Sequence, residues 1–448
     1  MITKARLKKI IFVIARILIV GLLGYGGYTT YTWLNNGGGL RLVRSVQPLN
    51  RSEGWREDLH FWVDRMLHIH PNLFYSLTEE DFERAVTQLD AEIPNLTDNE
   101  IILEFMGLVA LVSREGGRDG HTEILPFQEA TGFHVLPLRL YLFSDGWFVV
   151  DAQEPYQNLI GRQLVRIGDF EVDQVYTRLD RFITRDNMMT VKEKMPLLFL
   201  CPEVLQASGV IQDSEQVRLT FDDGEGVEFE TSVRSINWQD YLTWVEGPTT
   251  AALPLIYVTN PRENFRLEYR EDVHMLYIQY NEVRLSTQSG ETMWQFSQQV
   301  EMMMENNVVD RVVVDIRHNG GGNNFTYPPL LNVLSQNEQI NQPDKLFTII
   351  GRKTFSAAMN FATEMERKTL THFVGEPTGG SPNQYGDTIS LFLPNSGLEV
   401  EISSIYWEKG DPDDERLTLE PDILVELSSE DFFANRDPAI EAILKYQQ

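Results

Sequence analysis

After Asp272 the sequence alternates short apolar runs with longer amphipathic ones, and that alternation leaves few architectures open. "VHMLYIQY" and "RVVVDI" predict strands, and between them "GETMWQFSQQVEMMMENN" repeats its apolar residues at helical spacing. The pattern continues with "TYPPLLNVLSQ" (helix), "KLFTIIG" (strand), "SAAMNFATEMERK" (helix) and "HFVGE" (strand). Strands joined through helices run parallel, and such sheets carry their chemistry in the loops at the strand C-termini. Residues 250–448 are therefore expected to form an α/β domain around a crossover parallel sheet.

The earlier chain reads differently. From Trp55 to about Val112, "WREDLHFWVDRMLHIH" and "TEEDFERAVTQLDAEI" have helical periodicity, and Thr78 with Asp81 suits a capped start. This predicts a helical cap over 51–124, closing in "GGRDGHTEI". Residues 125–245 hold alternating runs such as "LRLYLF", "WFVVDA" and "VRLTF" between Gly-rich turns, with a helical run near Asp173 to Ile183: a β-rich middle domain. Within it "NLIGRQLVRIGDFEVDQVYTRLDRF" is similar to the part of PDZ modules that lines a peptide groove, and an ordinary hairpin plus helix fits it equally well.

Lys4, Arg6, Lys8 and Lys9 make residues 1–9 basic, and the apolar stretch that follows, 10–33, is long enough to cross a bilayer. Positive residues before the span put the N-terminus inside, so the rest of the chain is expected outside the cytoplasm. No small-residue cleavage site follows the apolar run, which favours a retained anchor over a cleaved signal peptide, although Arg16 interrupts the run. Residues 34–50, with "NNGGG", read as a linker.

A chain of 448 residues predicts two to three domains, and a net charge of −28 excludes a general nucleic-acid binder, since no basic stripe is left to meet phosphates. The single Cys201 permits no internal disulfide and has no metal-ligand neighbours. His68 and His70 form the only close histidine pair and read as packing residues.

Two strand ends hold unusual chemistry. In "VVVDIRHNGGGNN", Val312 to Asn324, three glycines let backbone N–H groups approach a ligand; a phosphate loop lacks its Lys-Ser/Thr here, and a plain tight turn stays open. In "GRKTFSAAMNF" Ser356 stands at a strand-to-helix junction, where it either caps the helix or acts as a nucleophile.

The order "GRDGHTEI", "DIRHNGGG", "GRKTFSAAM", "VGEPTGGSPNQYGD" and "LEPDI" resembles the tail-specific, or C-terminal-processing, serine peptidase superfamily, over about Asp272 to Leu444 and more loosely to "HPNLFY" and "GHT". The resemblance implies a ClpP/crotonase-like fold with Ser356 as nucleophile and an oxyanion hole from Gly321 and Ala357, Gly322 being the alternative loop donor. The processing branch has a lysine after its "GExTxG" turn; Ser381 stands there, which excludes a simple Ser–Lys dyad. The tricorn-like branch uses a histidine, and His121 fits. Its supporting glutamate, five residues before that of "EPD", falls on Glu415, with Asp413 and Asp414 as competitors. Glu123, Asp119 and Asp387 are further candidates to orient His121. His318 is expected to line the pocket, and Lys353 to point away from the serine.

The expected protein is a membrane-anchored, extracytoplasmic serine endopeptidase acting on peptides or unfolded protein segments, with no metal or organic cofactor. A peptide- or apolar-ligand-binding protein on the same fold, and an esterase, are the alternatives.

Overall fold

The computed structural model describes residues 50–246 and 263–446. The expected transmembrane helix and the basic end before it lie outside the described residues, as does nearly all of the linker. None of the described helices is long and apolar enough to cross a membrane.

Three helices, Arg51–Ile69, Glu79–Glu92 and Asp98–Arg114, build the cap, and each is opened by a side chain that accepts a backbone N–H: Asn50, Thr78 and Thr97. The middle part follows as β1 (His134–Val135), β2 (Leu138–Phe143), β3 (Gly146–Ala152), β4 (Gln163–Ile167), β5 (Phe170–Glu171), β6 (Gln216–Asp222), β7 (Glu228–Arg234) and β8 (Ile236–Asn237). All its pairings are antiparallel, in the order β2-β3-β4-β6-β7, with β5 on β4 and β1 on β8. The β4–β5 hairpin runs into a helix at Val172–Leu179, the hairpin and helix common to both sequence readings. Two further helices, Met188–Phe199 and Pro202–Ala207, were not foreseen in this β-rich part. Pro196 inside the first of them breaks the propensity signal, while the Asn187 side chain starts it by accepting from Met189 and Thr190.

The α/β part is laid out as its periodicity predicts. β9 (Phe265–Arg270), β10 (Met275–Tyr280), β11 (Arg311–Asp315), β12 (Leu346–Ile350) and β13 (His372–Gly375) precede a hairpin of β14 (Asn383–Phe392) and β15 (Glu399–Glu408), then β16 (Ile423–Leu424). The sheet order is β16-β13-β12-β11-β10-β9, parallel throughout except for β9. Alternate residues serve opposite faces: Leu276, Val312 and Leu346 pack with one set of helices, while Met275, Val313 and Phe347 pack with Ile440 and Ile443 of Pro438–Lys445.

One apolar core runs through both the cap and the middle sheet, and the β14–β15 hairpin of the α/β part reaches into it with Leu391, Leu393, Leu398, Val400 and Ile402. At the hairpin tip the buried Asp58 of the first helix accepts the N–H of Asn395 at 2.8 Å, that of Ser396 at 2.7 Å and the Asn395 Nδ2 at 2.9 Å. Asp58→Ala strands these donors, so a loss of about 3 kcal/mol is expected in urea unfolding. A loss near zero would show that the hairpin tip holds without it.

Candidate active site

Five residues after β12 the chain enters the helix Ser356–Lys368. The turn between is locked by Thr354, fully buried, whose Oγ1 accepts from Gly351 N at 3.1 Å and donates to the Ile316 carbonyl at 3.0 Å. Ser356 does not cap this helix. The cap position is Phe355, with no side-chain hydrogen bond, and Ser356 is the first helical residue, held at φ +52°. A serine in left-handed backbone is strained, and a strained serine between a strand and a helix is how an exposed nucleophile is presented. Its hydroxyl makes no hydrogen bond among the described residues, and Gln384, buried, fixes the Ser356 carbonyl with its Nε2 at 3.1 Å.

The glycine loop after β11 closes directly on this serine. Gly321 has φ +115°, and a Cβ added there would lie 2.5 Å from Ser356 Cβ and 3.0 Å from Ala357 N. Ala357 is the second helical residue, whose N–H has no intrahelical acceptor. The expected oxyanion donors are thus brought together, with one difference: the Gly321 N–H is already given to Asn319 Oδ1 at 3.0 Å, while the Gly322 N–H has no partner among the described residues. Sequence reasoning missed Asn319. It is fully buried, ties the loop to the Tyr280 carbonyl through Nδ2 at 2.9 Å and accepts the Phe355 N–H at 3.2 Å. An Asn that turns its side chain back onto the following backbone is the signal that could have found it.

His121 arrives from the end of the cap. Its ring stacks on Phe355, centroids 4.3 Å apart at 23°, so the structure places it beside the residue that precedes Ser356. Gly386 of β14 packs on the ring: a Cβ there would lie 3.5 to 3.6 Å from its Cε1, Nδ1 and Nε2, an ordinary contact. No hydrogen bond joins His121 to Ser356, and both ring nitrogens are buried without a full hydrogen bond, the Tyr385 backbone giving only a weak polar contact. Burial pulls the imidazole pKa down to about 4, with Asp119 opposing and the Lys194 cation adding to the fall, so the ring is neutral at pH 7.

None of the acidic candidates bonds to His121. Asp119, fully buried, is taken by Ser403 Oγ at 2.6 Å, Thr122 N at 3.1 Å and His70 Nε2 at 3.1 Å, which gives His70 an anchoring place in the cap. Glu123 pairs with Lys194 at 2.7 Å, and Asp387 is exposed. Glu415 is also exposed and has no partner among the described residues, and neither it nor Asp413 is brought to the imidazole. Asp414 pairs with Arg416, and only its carbonyl touches the histidine loop, accepting from Arg118 at 3.3 Å. Ser381 is buried, its hydroxyl spent on the Leu417 carbonyl at 2.8 Å, so it offers no base.

A cavity of about 1560 Å³ lies between the middle sheet and the C-terminal ends of β11 to β13. It reaches Gly320 to Gly322 and is lined also by Tyr141, Tyr241, His318 and Lys353, so His318 lines a pocket as expected. Lys353 is exposed, its Cε 3.8 Å from where a Cβ on Gly320 would sit.

No protein-family model and no curated protein sequence matches the chain. Solved structures do. Mature CPAF complexed with lactacystin is 12% identical with a TM-score of 0.61, covering 88% of this chain and 97% of its own. A mutant of CPAF is 11% identical with a TM-score of 0.62, covering 89% and 99%, and mature CPAF alone is 12% identical with a TM-score of 0.58, covering 88% and 96%. Identities this low speak of architecture: over most of its length the chain has the CPAF fold.

Proposed function

We propose that the protein is a serine endopeptidase, anchored in a membrane by residues 10–33 and acting outside the cytoplasm on peptides or unfolded protein segments. Ser356 Oγ attacks the scissile carbonyl, and His121, rotated off the Phe355 ring, takes the proton and returns it to the leaving amine. The Ala357 N–H and a loop N–H, from Gly322 or from Gly321 once released by Asn319, hold the developing oxyanion. Glu415 is assigned its supporting role by the resemblance, and its exposed side chain would have to turn toward His121 to exert it. The observation that carries the reading is Ser356 at φ +52° with Gly321 pressed against its Cβ. That arrangement strains the backbone at the serine and sets the glycine loop against Ser356 and the Ala357 N–H, as backbone donors flanking a nucleophile must be set.

The test is labelling of the full chain by a serine-directed fluorophosphonate, with the adduct mapped to Ser356. Absence of labelling in folded protein would favour the ligand-binding alternative, which the unbonded His121 and Ser356 keep open; cleavage of a peptide library separates peptidase from esterase. Terminal sequencing of the mature protein tests the retained anchor.

The histidine also sets a pH dependence. A base works only when unprotonated, so the ionisation of His121 gives kcat/KM an acid limb that climbs as pH rises through about 4. Removing the cation in Lys194→Met takes away one influence that lowers the imidazole pKa, so the acid limb shifts to higher pH. An unmoved limb would mean another group is the base.

A further inference from the structure

Asp186 lies in the middle part, just before the helix Met188–Phe199, and is fully buried. Its Oδ1 accepts the N–H of Gly120, the residue before His121, at 2.7 Å, and its Oδ2 accepts the N–H of Ser381 at 2.8 Å. Ser381 follows Gly380, whose N–H is bonded to the Thr354 carbonyl at 3.0 Å, two residues before Ser356. One carboxylate therefore spans from the histidine loop to the turn that supports the nucleophile.

The neighbouring groups repeat the connection. The Asp186 carbonyl accepts from Arg118 N at 3.1 Å, and its N–H donates to Thr190 Oγ1 at 3.2 Å, which in turn donates to the Gly379 carbonyl at 2.6 Å. Asn187 Nδ2 donates to the Thr378 and Leu417 carbonyls at 3.0 and 2.6 Å. The approach is close enough to demand glycine: a Cβ on Gly117 would meet the Asp186 carbonyl at 2.0 Å. A carboxylate here is unfavourable to maintain. Burial pushes its pKa up to about 7, Asp119 adds to the rise, and the two N–H donors and Lys194 only partly offset them. Its geometric merit is two acceptor oxygens for two inward N–H groups, which an amide cannot supply.

We propose that Asp186 is a positioning residue, clamping the His121 loop to the Ser356 turn so that the middle part of the chain sets the geometry between base and nucleophile. This rests on the Ser–His hydrolase reading. It gives the middle part a role in the reaction itself, separate from binding substrate.

Asp186→Asn in the full chain keeps size and one acceptor. Steady-state peptide cleavage is expected to show kcat down by about ten- to a hundredfold with KM within about twofold, the size of effect that misplacing a reacting group by an ångström produces. Hydrogen exchange should quicken in both 118–122 and 379–383 and nowhere else. Thr190→Val, loosening the same joint from its other side, should repeat both effects more weakly, and serves if the first variant misfolds. An unchanged kcat, or a raised KM at constant kcat, overturns the positioning role, and unchanged exchange in either segment overturns the clamp. The exchange result stands on its own even if the wild-type chain hydrolyses nothing, an outcome that would instead sink the hydrolase reading and the positioning role with it.

Discussion

Ser356→Ala is expected to lower kcat/KM by about four to six orders of magnitude, the scale of losing a nucleophile whose oxyanion contacts stay in place. Ser356→Gly should be as inactive and yet more stable than the natural chain, by about 1 kcal/mol in urea unfolding, because a residue at φ +52° is strained unless it is glycine. The two measurements together separate the roles a serine can have at this junction. A capping serine would give the opposite stability result, since losing a cap costs about 1 kcal/mol. The structure provides no cap to lose: Phe355 holds that position, without a side-chain hydrogen bond. A glycine variant that is both active and less stable would therefore remove Ser356 from the chemistry.

Much of this site can be read along the chain because its parts sit at element ends that periodicity marks. The strand Leu346–Ile350 and the helix Ser356–Lys368 follow the apolar pattern nearly residue for residue, and the glycines after Asp315 announce close backbone approach. What is not legible is what those ends meet. "SLFLPNSGLEVEI" reads as any hairpin, and nothing local says that its Leu391, Leu398 and Ile402 enter the core of the cap. The same holds for "TRDNMMT", in which Asp186 acquires meaning only through Gly120 and Ser381. Histidine illustrates the limit: the ordered motifs pair His121 with the Ser356 turn, while its stacking on Phe355 and its ring nitrogens, left without a full hydrogen bond, depend on packing from β14. Glu415 marks the other side of that limit, for counting residues finds its place in a motif and not the direction its exposed side chain takes.

Gly321→Ala should lower kcat by about 10⁴-fold while its neighbour Gly320→Ala leaves the rate within a few-fold. At position 321 the new methyl meets Ser356 Cβ at 2.5 Å and Ala357 N at 3.0 Å, and the φ of +115° is itself hostile to alanine. Neither partner is the loose end of a side chain; both are rooted at the head of a buried helix, so the glycine loop must retreat. Retreat breaks the Gly321 bond to Asn319 and the Val283 N–H bond to the Gly321 carbonyl, moving every donor of the loop. Losing one oxyanion donor accounts for about 10² to 10³, and misplacing the rest of the loop by an ångström relative to the serine for about 10² more. Overpacking and backbone strain should also take about 3 kcal/mol from stability. At position 320 a methyl finds only Lys353 Cε at 3.8 Å, an ordinary contact with a flexible end, so stability should be unchanged. Equal behaviour of the two alanine variants, in rate and in urea midpoint, would mean that the loop does not press on the serine and that the oxyanion is held elsewhere.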